Sequence, residues 1–152
     1  MSYRDRAPPR PVFLVLALAW ALLIFRLTGG EGIKGSGGFG WQYLYNGSHA
    51  FLFAVQGILL GLGIQAGSAR RRLIALLLCS GYGAFSEWYQ GFLPNRHPDP
   101  MDWLSDTAGA AFGLVLLGVM AGMDASGRRR AVFLALGLAV LCLASAYLAT
   151  VT

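Results

Sequence analysis

The sequence predicts an all-α membrane bundle of about five transmembrane helices, with the N-terminus inside and the C-terminus outside. Three observations lead there. The 152 residues are 56% hydrophobic and 12% charged, with a mean hydropathy of +0.56, too apolar for a soluble domain of this length. The apolar residues fall into five runs of near-membrane length. The basic residues fall in short clusters between those runs, where they set topology. Although the net charge is +5, this placement argues against nucleic acid as a partner. Cys79 and Cys142 both lie inside apolar runs without a Cys or His neighbour, so neither a disulfide framework nor a thiolate metal site is expected.

Residues 1–11 form a polar leader with Arg4, Arg6 and Arg10, expected in the cytoplasm, and residues 12–152 a single transmembrane domain. The first run, residues 12–28, is near the lower limit for crossing a hydrocarbon core of about 30 Å. It reads as an uncleaved anchor, because no small-x-small cleavage site closely follows Phe25 and Arg26 interrupts the run. Residues 29–47 are glycine-rich and expected to form a flexible loop. Lys34 has glycine neighbours, but the phosphate-loop spacing is absent. Trp41, Tyr43 and Tyr45 would then supply an interfacial aromatic belt.

The second run, residues 48–66, has His49 at its entry and Gln56 seven residues on, nearly on the same helical face. Gly57/Gly61 and Gly63/Gly67 have the four-residue spacing that lets helices approach closely, within one chain or between copies in a homo-oligomer. After Arg70, Arg71 and Arg72 comes the third run, residues 73–92, with Glu87 and Gln90 one turn apart near its far end. A proline-rich turn holding Arg96 and His97 follows. Asp99-Pro100 reads as a helix start, with Asp102 in the first turn, where the macrodipole favours an anion.

Capping does not explain Asp106, a full turn deeper in the fourth run, residues 102–123. Positions 102, 106, 109 and 113 fall within about 40° of one face, so two carboxylates and two glycines share a stripe that should face protein. A charged residue inside a span costs roughly 2.5 to 3.5 kcal/mol on insertion scales, which makes Glu87 and Asp106 candidates for function. Arg128, Arg129 and Arg130 precede an uncharged fifth run, residues 131–151.

Three arginine clusters agree on orientation. They place the loops at 29–47 and 93–101 outside, so His49, Glu87, Gln90, Asp102 and Asp106 are all expected near the outer interface. Glu87 and Asp106 would each sit roughly 7 Å below the outer helix ends.

Glu87-Trp-Tyr-Gln90, Pro94-Asn-Arg96 and Asp102-x-x-x-Asp106-x-x-Gly109-x-x-x-Gly113, with His49 upstream, resemble the VanZ-like membrane proteins. Their pattern runs His, E-x-x-Q, P-x-R and D-x-x-x-N-x-x-G. The resemblance covers residues 48–122, the expected family core. Two positions depart from it: Tyr45-Asn46 stands where the family commonly has Asp-Lys, and Asp106 where it has Asn. The resemblance implies cell-envelope biology, the family's name coming from a protein associated with teicoplanin resistance, but supplies no reaction.

Three readings follow for the polar residues. The first is a site that binds or handles an amphipathic envelope molecule, a lipid or lipid-linked head group. Arg96 and Gln90 would meet the head group, and Trp88 and Trp103 would lie at the interface. The second is an enzyme in which Glu87, Asp102 and Asp106 supply carboxylates and His49 a base, with Arg96 stabilising an anion. A divalent metal on His49, Glu87, Asp102 and Asp106 suits the ligand types, although no metal-binding motif such as H-E-x-x-H is present. The third is an internal network, Glu87 with Arg96 above all, that ties helix ends together.

Overall fold

A computed structural model describes residues 9–28, 39–94, 96–121 and 125–151. All of its regular structure is helical, in five elements: α1 (Pro11–Thr28), α2 (Phe39–Gly63), α3 (Ala69–Gln90), α4 (Pro100–Met120) and α5 (Ala125–Val151). Pro11–Thr28, Pro100–Met120 and Arg129–Leu148 are long and apolar enough to cross a membrane. Within α2 the apolar stretch is shorter, Gly47–Gly63, and α3 opens on three arginines and closes on Glu87 and Gln90.

Caps set the boundaries. Ser68 precedes α3 in an extended conformation, and its side chain accepts the Arg71 N–H. Asp99 does the same for α4, accepting the Met101 N–H at 2.8 Å, with Pro100 at the first helical position. Between α2 and α3 the chain reverses through Gln65, a non-glycine residue with φ of 53°. Two arginines of α3 cap the carbonyls at that corner, Arg71 Nη1 donating to Ile64 O and Arg72 Nε to Ala66 O.

One boundary differs from the expectation. Residues 39–47 are helical, so α2 starts nine residues before the expected Ser48. Only Gly40 interrupts the stretch between Gly38 and Gly47, and it holds no proline. Once the packed part of α2 has formed, extension towards the N-terminus adds a hydrogen bond per residue at little further cost. The rest of the glycine-rich loop and the side chains of Trp41, Tyr43 and Tyr45 lie outside the described residues.

α4 is the central helix, packed most extensively on α2 and then on α5 and α3, while α1 lies against α2. Small residues make the α2–α4 seam. A Cβ on Gly109 or Gly113 would run into the backbone carbonyls of Ala50 and Ala54, and one on Gly57 into that of Ala110. Gly63 likewise admits Leu14 of α1. The glycine-spaced faces therefore serve packing within the chain. Ile24, Phe53, Cys79 and Ala110 form one apolar cluster, and Ala66, Ala75 and Leu114 another. Polar ties cross between helices: Trp20 Nε1 donates to Leu52 O at 2.9 Å, and the Tyr82 hydroxyl to Ala21 O at 2.6 Å. Neither cysteine is in a disulfide; Cys79 is buried and Cys142 half-buried.

The two ends of the bundle differ in charge. Arg10 donates its backbone N–H to Gly63 O; it lines a cavity of about 220 Å³ together with Arg72, and Arg72 lines a second with Arg130. An arginine of each basic cluster thus lies at one end, and among the described residues the acidic side chains, Glu87, Asp99, Asp102 and Asp106, collect towards the other.

Candidate functional site

Three helices contribute to a buried polar cluster. From α2 comes His49, 3% exposed; from α3, Glu87 at 5%; from α4, Asp106 at 1%. His49 Nδ1 lies 3.2 Å from Asp106 Oδ1, a hydrogen-bonded pair 57 positions apart in sequence. One ligand atom from each of His49, Glu87 and Asp106 falls within 4.8 Å of the others.

The seam explains this convergence. Gly109 and Gly113 lie one and two turns beyond Asp106, and their contacts with Ala50 and Ala54 bring α4 onto the turns of α2 just past His49. Gly83 performs the equivalent service on α3, where a Cβ would stand 3.0 Å from Asp106 Oδ2. Asp102, one turn before Asp106 on the same face, is also buried, as the stripe pattern predicts. Its Oδ1 is enclosed without a hydrogen-bond partner, and so is the Ser105 hydroxyl.

The surroundings of Glu87 require a correction. The sequence leads one to expect a direct pair with Arg96, whereas the described residues join the two through Gln90. Asp99 donates its backbone N–H to Glu87 Oε2 at 2.8 Å, and Gln90 Nε2 donates to Glu87 Oε1 at 3.4 Å. Arg96 donates to Gln90 Oε1 at 3.4 Å and to Thr28 O, the last residue of α1, at 3.2 Å. The short turn returns along α3, with Pro98 packed against Gly91, so the α4 cap reaches Glu87 first and Arg96 is carried towards α1. Thr28 has no sequence signal for this role. Its hydroxyl bonds Ile24 O at 2.9 Å and lies 3.5 Å from that of Ser86.

One further expectation changes. His49 is ten residues into α2, about 15 Å along its axis, rather than at the helix entry. Trp88 and Trp103 are not brought to the cluster: Trp88 is 61% exposed and Trp103 42%. Trp88 stands between Phe85 and Phe92 on the outer surface, and Trp103 Nε1 donates to Ser80 O at 3.1 Å. Helical spacing accounts for this, since residue 88 is about 100° around α3 from Glu87, and residue 103 about 100° around α4 from Asp102. Gln56 is buried, with Oε1 unpartnered. Ser105 was not singled out from sequence; its place beside Asp106 and three residues after Asp102 was the available signal.

Apolar helices enclosing ionisable side chains from three elements define a helical membrane protein with a buried polar centre. The chain belongs to the VanZ/LLP1 family, whose model matches residues 12–121. The match takes in α1 as well as the core expected at 48–122. Neither the curated proteins nor the solved structures contain a significant match.

Proposed function

We propose that this VanZ-like protein is a multi-pass protein of the cell membrane that binds the polar head group of an amphipathic envelope molecule, a lipid or a lipid-linked precursor. The polar centre would face the outer side. The carrying observation is the convergence of His49, Glu87 and Asp106 from three helices into a space of a few ångströms. Ionisable groups this deep in an apolar bundle are costly, and a network serving only to tie helices would saturate its own hydrogen bonds. Asp102 Oδ1 and Ser105 Oγ are enclosed and unpartnered instead, which favours a site that an external polar group completes. Arg96, from the turn beside it, suits a phosphate or carboxylate. The arginines gathered at the opposite end support the orientation, with that end inside. A link to glycopeptide-antibiotic resistance rests on family membership.

A second reading, an enzyme acting on such a molecule, draws on the His49–Asp106 pair, an imidazole held by a carboxylate with Glu87 within reach. A structure determined in lipid nanodiscs tests the binding reading. Head-group density against Arg96 and the cluster is expected; a dry cluster closed on itself would contradict it.

A further inference from the structure

We infer that His49, Glu87 and Asp106, with Asp102 one turn away on α4, form a site for one divalent first-row cation of the zinc or manganese class. The inference deepens the head-group reading, since a cation here would present a positive charge to an anionic head group.

Geometry supports it first. Around a tetrahedral zinc ion with bonds of about 2.1 Å, donor atoms stand about 3.4 Å apart. Atoms already within 4.8 Å of one another need to close by at most about 1.4 Å to reach that spacing. The donor types, one imidazole and two carboxylates, suit zinc, manganese or iron(II) better than calcium or magnesium, whose ligands are oxygens alone.

The second observation is Asp102. It is 9% exposed, its Oδ1 has no hydrogen-bond partner, and it lies one turn from Asp106 on the same helical face. It is near enough to His49 and Asp106 to interact with both electrostatically. A carboxylate oxygen enclosed without a donor is expensive in a bundle that could have hidden an apolar side chain there. With an ion bound, Glu87 and Asp106 would supply the negative charge that balances a divalent cation in a low-dielectric interior.

The outer contacts fit as well. Glu87 is oriented by the Asp99 N–H and by Gln90, and Gln90 in turn by Arg96, the kind of support that fixes metal-ligating carboxylates.

The test uses the full chain, purified without a histidine tag, stripped with a chelator and titrated with Co²⁺ in detergent. One equivalent should bind, with visible absorption bands that report nitrogen and oxygen ligation, and bound Co²⁺ or Zn²⁺ should raise the thermal midpoint. Asp106→Asn and His49→Gln should each weaken binding at least tenfold; Asp106→Asn keeps the hydrogen bond to His49, so its unliganded midpoint should stay close to the parent's. If a variant fails to fold, the metal-induced shift of the parent decides alone. Absence of saturable binding, or binding unchanged in both variants, would overturn the inference. The head-group reading is scored separately, by capture of a long-chain polyprenyl phosphate with and without chelator. Capture without any metal binding defeats the cation site and leaves that reading standing; metal binding without capture does the reverse.

Discussion

His49 on α2 and Asp106 on α4 meet at 3.2 Å, nitrogen to carboxylate oxygen, with both side chains almost wholly enclosed. The pair is held by the backbone, because the glycine seam fixes how close the two helices lie. Substitutions that keep a hydrogen bond should therefore separate folding from function. His49→Ala leaves Asp106 buried beside an empty space and should destabilise the protein by about 3 to 5 kcal/mol. His49→Gln retains a donor and should cost at most about 1 to 2 kcal/mol. Unfolding in a mixed micelle with a graded denaturing detergent checks the order, and equal losses would mean that the pair carries no specific coupling.

The seam itself makes a second prediction. A methyl group at Gly109 or Gly113 would meet main-chain carbonyl oxygens, which cannot rotate away. Gly109→Ala and Gly113→Ala should each cost about 1 to 3 kcal/mol. Gly81→Ala and Gly137→Ala point into open space and should be neutral or stabilising by up to about 1 kcal/mol. A thermal-shift series in detergent ranks all four, and a flat series would refute the close approach.

The bundle and its stripe were legible in sequence because both are periodic. Gly109 and Gly113 fall on the face of Asp102 and Asp106 by simple helical arithmetic, and the structure buries all four. Which carboxylate takes which partner was not legible. Arg96 is the cation nearest Glu87 in sequence, but the turn delivers the Asp99 backbone N–H first and leaves Arg96 to Gln90 and Thr28. Such choices depend on how α1 and the turn sit in three dimensions, and no spacing rule encodes them. The start of α2 was missed for another reason: glycines mark helix breaks by propensity, and a packed helix can extend past an isolated one.

Because Gln90 stands between Glu87 and Arg96, a double-mutant cycle between Gln90→Ala and Arg96→Gln should show a coupling of about 0.5 to 3 kcal/mol in stability. The cycle between Glu87→Gln and Arg96→Gln, repeated in the Gln90→Ala background, should lose most of its coupling. Coupling that survives the loss of Gln90 would point to a direct Glu87–Arg96 interaction.

Orientation is checked by single cysteines in a Cys79→Ala, Cys142→Ser background. A cysteine in place of Arg70, at the basic end, should be labelled only after the membrane is breached. One in place of His97, in the turn beside the polar cluster, should react with an impermeant reagent in intact cells. The opposite pattern would put the cluster at the inner face.

The central claim is that the buried cluster serves a ligand rather than the fold. Native mass spectrometry of the purified protein, with bound envelope lipids counted per chain, tests it most directly when the parent is compared with Glu87→Gln. Glutamine preserves the volume and can still accept the Asp99 N–H, so the variant should fold with a midpoint close to the parent's. The account predicts that it loses at least tenfold in affinity for the bound amphiphile, about 1.4 kcal/mol. Unchanged lipid occupancy together with a large fall in stability would contradict it, and would make the cluster a structural tie between helices.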